Sequence, residues 1–322
     1  MAIDLTGSSD TTAMDLGKGA CCEATEPCYA VALAAFDGVS WLDEQLDSIL
    51  AQEGVRVQIF VSVDPSSDGT EQLVANRVIQ DPRIIMLPQY GRFQNAARNF
   101  YRLVCDINLA GFNYLAFSDQ DDIWLPDKLL RAHTLLQQGN YAAYSSNVTA
   151  FWPDGRQQFI DKSQPIRSKD FLFEAAGPGS TYVFNSVLAQ NLQNFIAAQR
   201  SEIDQVALHD WFFYAFARSK GYRWIIDSRS GLMYRQHATN HLGVNAGFAA
   251  YKNRFKAISS GWYRAEILKI TTLFYSQEVP FLKALKAGGW HSRLFLMKHI
   301  KQCRRHWLDR VALFLCCLFG LF

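Results

Sequence analysis

The chain has 322 residues, 49% of them hydrophobic and 19% charged, proportions that exclude a disordered polymer and suit one large domain or two modest ones. A net charge of +2 conceals an asymmetry: residues 251–310 hold 13 Lys and Arg against Glu266, Glu278 and Asp309, a formal +10, which leaves −8 on the remainder. The seven cysteines follow neither metal-ligand nor disulfide-framework spacing, so they read as reduced thiols of a cytoplasmic protein, and zinc is not expected.

Residues 1–27 are small, polar and turn-prone and read as a flexible leader without a secretory signal. Tyr29–Phe36 is an apolar run of strand length. Trp41–Gln52 carries Trp41, Leu42, Leu46, Ile49 and Leu50 at helical spacing. Gln58–Val63 predicts a second strand, and Ser66-Ser67-Asp68-Gly69 the turn into a helix through Val74 and Val78. Arg83–Leu87 predicts a third strand, Asn95–Ile107 a third helix and Tyr114–Phe117 a fourth strand. Such βα repeats imply an α/β fold with a mainly parallel sheet and helices on both faces. Beyond it, Tyr141–Ser146, Thr181–Phe184 and Arg223–Asp227 have strand character, and Ser186–Ala198 and Leu208–Ser219 helical character. From Ala249 onward the pattern is helical and basic.

The most informative stretch is Asp119-Gln120-Asp121-Asp122, between the fourth strand and Ile123-Trp124-Leu125-Pro126-Asp127-Lys128. Three carboxylates within four residues repel one another, and a hard divalent cation that takes oxygen ligands would reconcile them. The alternative is a solvated acidic turn before a helix that Pro126 opens. In parallel sheets ligands gather at the carboxyl ends of strands near a switch in strand order. Asp37-Gly38, Asp64 and the Asp119 cluster all fall at such ends. Asp37 and Asp64 also suit ordinary turns, and Asp210, in His209-Asp210-Trp211, equally suits a helix start.

Taken in order, these motifs resemble family 2 glycosyltransferases of the A-type nucleotide-sugar-binding fold (GT-A). They are Ala34-Ala35-Phe36-Asp37-Gly38 with Glu44–Ile49, Asp64 with Ser67-Asp68-Gly69-Thr70, Ser118–Lys128, His209-Asp210-Trp211, and Tyr234-Arg235-Gln236-His237 with Asn240 and Gly243. Within the family the chain is most similar to rhamnosyltransferase-type enzymes of bacterial surface-polysaccharide assembly. The resemblance implies a transferase domain over residues 28–245 and a helical C-terminal region over 246–322. It also implies an inverting transfer from a dTDP- or UDP-linked sugar to a saccharide or lipid-linked acceptor.

Roles follow position by position. Asp37 and Asp64 would line the nucleotide pocket, and Asp119 would contact the ribose or base side. Asp121, with Asp122 assisting, would ligate Mg²⁺ or Mn²⁺. His237 would be a third ligand or a charge partner, Arg235 would stand by the diphosphate, and Gly179 would lie under the donor sugar. Asp210 matches the general base. One departure bears on nucleotide preference: many relatives carry two adjacent acids where this chain has Val63-Asp64-Pro65.

Two other functions remain open from the residues. A sugar-phosphate nucleotidyltransferase would need a Gly-rich basic loop after the first strand, which Phe36–Ser40 lacks. A non-catalytic, membrane-tethered sugar-binding protein would not require Asp210. At the C-terminus, uncharged residues 311–322 follow Lys298, Lys301, Arg304, Arg305 and Arg310. The run is too short to span a bilayer, so it reads either as an interfacial segment on an anionic membrane or as a helix packed on protein. The first choice puts the chain peripherally on the inner face of the cytoplasmic membrane. No recognition motif points to nucleic acid.

Overall fold

The computed structural model describes residues 26–93, 95–237, 260–275 and 280–322. The greater part of the expected leader, and Asn240 and Gly243 of the last motif, lie outside the described residues. The first half follows the expected alternation: β1 (Cys28–Ala35), α1 (Leu42–Leu50), β2 (Arg56–Val63), α2 (Thr70–Gln80), β3 (Ile84–Met86), α3 (Ala96–Asp106) and β4 (Tyr114–Ser118). Asn95 starts α3 by accepting the Arg98 N–H at 2.8 Å, which satisfies one of the orphaned donors of a helix N-terminus.

β1 lies between β2 and β4, parallel to both, with Ala35 opposite Val63 and Leu33 opposite Ser118. This register brings the carboxyl ends of the three strands to one edge, and Asp37, Asp64 and Asp119 emerge there together. The chain passes from β1 to β2 and β3 on one side before crossing to β4 on the other. That reversal is the switch point at which open α/β sheets bind ligands.

Side-chain alternation along β1 builds two cores. Tyr29, Val31, Leu33 and Ala35 pack beneath α1 and α2, and Ala30 and Ala32 join the opposite layer with α3. Both faces of the strand are covered, which is why its sequence is an unbroken apolar run.

The second half comprises β5 (Ile123–Trp124), α4 (Lys128–Gly139), β6 (Ala143–Phe151), β7 (Gln157–Ile160), β8 (Val183–Asn185), α5 (Ser186–Ala198), α6 (Arg200–Ile203), α7 (His209–Ser219) and β9 (Trp224–Arg235). Here the sheet becomes mixed. β8 runs antiparallel to β4 and β6, β9 runs parallel to β6, and β5 pairs antiparallel with the far end of β9. β6 and β9 extend well past the segments read from sequence. Polar residues such as Ser146, Asn147 and Ser230 hide the continuation, although their backbones stay in the ladder across two register shifts. β5 is two residues long and sits within the acidic motif, so periodicity could not reveal it.

The C-terminal segment forms α8 (Trp262–Phe274), α9 (Pro280–Ala287), α10 (Gly289–Cys303) and α11 (Trp307–Leu318). Ile267, Phe281, Leu296, Leu313 and Cys317 enter the same apolar cluster as α3, α5 and α7. A buried charge lattice ties these helices to a single turn of 3₁₀ helix at Asp170–Leu172. Fully buried Asp170 receives Tyr214 Oη at 3.0 Å and Arg218 at 3.3 Å, with Arg305 3.7 Å away. Burial is the largest influence on the Asp170 carboxyl and raises its pKa, while the two guanidinium groups pull it back down.

Removing one member of a buried ion lattice strands the others without compensation. Asp170→Ala is therefore expected to destabilise the protein by about 3–5 kcal/mol. Chemical denaturation of the variant against the parent checks this, with Asp154→Ala, an exposed acid paired only with the exposed Arg156, as a control that leaves the lattice intact.

Candidate active site

The edge formed by β1, β2 and β4 is cross-braced by its own loops. Asp37 has a left-handed backbone, φ 44°, and its carboxylate accepts from Ser67 N at 2.7 Å. Gly38 N donates to Thr70 Oγ1 at 2.9 Å and Val39 N to Asp68 Oδ2 at 3.0 Å. Gln120 clasps the Phe36 backbone from the other side, with bonds of 2.7 and 2.9 Å to its N–H and carbonyl. Asp64 is buried and accepts from Phe93 N at 3.1 Å, while Arg92 lies over the Phe36 ring at 5.2 Å. Asp37 and Asp64 thus both lie at the ends of β1 and β2, tied to the loops that carry Ser67 and Phe93.

The acidic segment is held by strand pairing. β5 sets Ile123 opposite Met233, so Tyr234, Arg235, Gln236 and His237 run past Asp121 and Asp122. Arg235 N donates to Asp122 Oδ1 at 3.3 Å and Arg235 Nε to the Asp121 carbonyl at 2.9 Å. The same guanidinium pairs with Glu44 of α1. His237 Nε2 meets Asp121 Oδ2 at 2.7 Å, and its ring stacks on Trp41 at 3.9 Å and 14°. The expected last motif is therefore a clamp on the acidic one, assembled by a two-residue strand that the sequence did not disclose.

Burial and mutual repulsion dominate the electrostatics. Desolvation, then the charges of Asp121 and Asp210, push Asp119 up to about 7. Desolvation, followed by Asp121 and Asp119, raises Asp122 well above the ordinary carboxyl value. Asp210, in the first turn of α7, is pushed up to about 6 by burial, against the lowering effect of the Trp211 N–H it accepts at 2.7 Å. Because Asp119 feels both Asp121 and Asp210, these carboxylates share one space of low dielectric. The Tyr234 phenol stands in the same field, its pKa raised by burial and then by Asp122, Asp119, Asp121 and Asp210.

Gly179 fixes how closely the Asp210 end approaches. A Cβ at that position would lie 2.6 Å from His209 Nε2 and 3.3 Å from Asp210 Cβ. The His209 ring cannot withdraw, because it stacks on Phe100 at 4.0 Å, and burial holds it neutral with a pKa down to about 3. His209 is a packing residue that seats Asp210.

Among the described residues no three His, Cys, Asp or Glu side chains converge as a metal site. The donors nevertheless suit a hard divalent ion: oxygen and imidazole ligands, repelling carboxylates, and buried Asp122 Oδ2 without a hydrogen-bond partner among the described residues. Two cations were given no role by sequence reasoning. Lys128 is buried, with Nζ 3.3 Å from the Trp124 ring centroid and no hydrogen-bond acceptor among the described residues. Desolvation lowers its pKa well below the ordinary value, and the opposing influence is the Asp122 charge. The Lys162 charge is a minor influence that lowers the Asp210 pKa. Its only sequence signal was a lysine in a loop.

Comparison with known proteins identifies the pattern. The family described as "Glycosyl transferase family 2" matches residues 30–202. The chain is 37% identical over 291 residues to "dTDP-rhamnosyl transferase RfbG" of Shigella flexneri, covering 90% of this chain and all of that protein. It is 27% identical over 119 residues to an Escherichia coli protein described as "UDP-Glc:alpha-D-GlcNAc-diphosphoundecaprenol beta-1,3-glucosyltransferase WfaP", covering 36% of this chain and 45% of that one. Among solved structures, S. aureus TarS 1–349 in complex with UDP-GlcNAc superposes with a TM-score of 0.56 at 12% identity, covering 91% of this chain and 80% of that one.

Gly179→Ala is expected to cost about 1–3 kcal/mol, the usual penalty of overpacking, and to displace Asp210. Thermal unfolding measures the first effect. Reduced donor turnover at saturating substrate, in protein that remains folded, measures the second.

Proposed function

This chain belongs to glycosyl transferase family 2, and we propose that it moves a deoxyhexose, rhamnose foremost, from a dTDP- or UDP-linked donor to a saccharide or lipid-linked acceptor, inverting the anomeric centre. It is a glycosyltransferase acting in the synthesis of polysaccharide. The observation that supports the single-displacement, inverting reading is the position of Asp210, a carboxylate of raised pKa within the electrostatic reach of Asp119 yet on a different element.

The nucleotide would lie at the β1 and β2 ends beside Asp37 and Asp64, where a carboxylate would accept a ring N–H of uracil or thymine. Asp121 and His237 would hold Mg²⁺ or Mn²⁺, with Asp119 close by and Asp122 supporting from below. A divalent ion bound there would neutralise charge on the leaving diphosphate as a Lewis acid. Arg235, braced by Glu44, would set the attitude of the Asp121 backbone. Asp210 would accept the proton of the acceptor hydroxyl while that oxygen bonds to the anomeric carbon and the nucleoside diphosphate departs. A single displacement needs one such base, whereas hydrolases use a carboxylate pair. The pKa of about 6 suits the task, since a base near the working pH is both ionised and able to take a proton.

Support for rhamnose and a dTDP donor comes from the Shigella relative, whose described activity is dTDP-rhamnosyl transfer. Support for a lipid-linked acceptor comes from the E. coli relative, described as acting on a diphosphoundecaprenol. With such an acceptor the chain would work at the inner face of the cytoplasmic membrane, and the C-terminal segment would meet its anionic surface.

A panel of dTDP-, UDP- and GDP-sugars with and without Mn²⁺ tests the donor. Asp210→Asn is expected to lower kcat roughly 10²–10⁴-fold with donor KM little changed. In the parent, kcat/KM should rise with pH through about 6, because only the ionised carboxylate accepts a proton, and the residual activity of Asp210→Asn should lose that limb. An unaltered pH profile would remove Asp210 from the role. Asp121→Asn should weaken Mn²⁺ binding, read directly by electron paramagnetic resonance without substrate.

A further inference from the structure

The sequence left two alternatives for the C-terminal segment, membrane contact or packing on protein, and the structure accommodates both on opposite faces of one helix. On α11, Leu313, Cys316 and Cys317 are buried against the domain. The other side presents Trp307, Leu308, Val311, Leu315, Leu318 and Phe319 to solvent, with Trp307 62% and Phe319 71% exposed. At 100° per residue those positions form one continuous arc. α10, which packs on α11, repeats the arrangement: Ser292, Leu296 and Cys303 face inward, while Trp290 and Leu294 share the outward arc with Lys298 and Lys301. Apolar surface this extensive, rimmed by lysines, marks an interaction site.

Charge selects the partner. Residues 280–322 contain four Lys and four Arg but one acid, Asp309, and that carboxylate is spent on Arg304 at 3.3 Å. A twofold contact between copies would press this surface on itself, with like charges and no acid to offset them. Among the described residues no helix is long and apolar enough to cross a membrane, yet aromatic and aliphatic side chains beside lysines are what a helix lying in a headgroup layer requires. We propose that the outward faces of α10 and α11 dock on a lipid bilayer bearing anionic headgroups, with Trp307 and Phe319 entering the interface and Lys298 and Lys301 meeting lipid phosphate.

The docking face is joined to the acceptor side of the site through rigid contacts. Arg304 donates to the Phe173 carbonyl at 2.7 Å and Arg305 to the Ala175 carbonyl at 2.7 Å. Trp211, next to Asp210, donates to the Phe171 carbonyl at 3.0 Å and stacks on Tyr263 of α8 at 5.7 Å. Docking would therefore fix the attitude of the α7 end toward the membrane, a consequence that rests on the general-base reading of Asp210, whereas docking itself does not.

The test is co-sedimentation of the full chain with phosphatidylcholine vesicles, with and without phosphatidylglycerol. Expected are binding to the anionic vesicles only, weakening with salt, and loss of about 30-fold in affinity for Lys298→Gln/Lys301→Gln at low salt, some fivefold per lysine. Trp307→Ser/Phe319→Ser should abolish binding with the melting temperature and donor hydrolysis unchanged, because both side chains are solvent-facing and outside the acidic site. Absence of binding by the parent, equal binding to neutral vesicles, or unimpaired binding by both double variants overturns the proposal. So does a dimer in light scattering that the same variants dissociate. Asp210→Asn should bind vesicles like the parent, so a failure of the catalytic reading and a failure of docking are told apart.

Discussion

Four carboxylates in one poorly solvated space are the constraint around which the rest of the molecule is arranged. Asp119, Asp122 and Asp210 are raised by burial, the Asp121 charge adds to the rise at Asp119 and Asp122, and a fold driven only by stability would disperse such a set. Rigid backbone keeps them together. The parallel register of β1, β2 and β4 fixes where the first acids emerge. The β5–β9 pairing then brings Arg235 and His237 against Asp121 and Asp122. A carboxylate set held together at such a cost is one whose repulsion a bound cation would relieve.

That constraint also explains which parts of the fold could be read from the chain. β1 and β4 were legible because both are buried on each face and written as apolar runs, β2 and β3 because their apolar residues still predominate, and α1 and α3 because a single apolar stripe alternates with polar residues. β5 was not legible. Its two residues sit between Asp122 and Leu125, where the only reason to extend is hydrogen bonding to β9, a partner about a hundred positions away. The full length of β9 was hidden for a related reason, since Asp227, Arg229 and Ser230 look like a turn until Arg131 and Asn147 are seen to bind there. Both strands owe their extent to partners far along the chain, and local periodicity carries no record of such register.

The site was legible as a set of motifs and illegible as a set of supports. Asp37, Asp64, Asp119, Asp121 and Asp210 announce themselves by chemistry and position at strand ends or a helix start. Lys128 does not, because a lysine in the first turn of a helix is ordinarily solvated. Its burial against Trp124, opposite Asp122, depends on α4 crossing beneath β5 and β9. Gly231 permits that crossing, since a Cβ there would lie 2.7 Å from Ser146 Oγ and 3.5 Å from Lys128 Cγ. Gly179 is similar: its small size was noticed in sequence, but its purpose, to admit the His209 ring, is visible only in three dimensions.

The C-terminal helices extend the same logic outward. They contribute Ile267, Leu296 and Leu313 to the core shared with α3 and α7, so they are a structural wall of the site and could not be removed without exposing Trp211 and Phe212. Their charge is partitioned with equal economy. Arg304 and Arg305 turn inward to Glu174, Asp170 and main-chain carbonyls, where an uncompensated guanidinium would be intolerable. Lys298 and Lys301 stay at the surface, where a flexible stem lets an ammonium group remain hydrated beside apolar neighbours. The choice of arginine for the buried bonds and lysine for the outer face follows from the two side chains' own chemistry. It separates the contacts that hold the wall in place from those left available to whatever the wall rests upon.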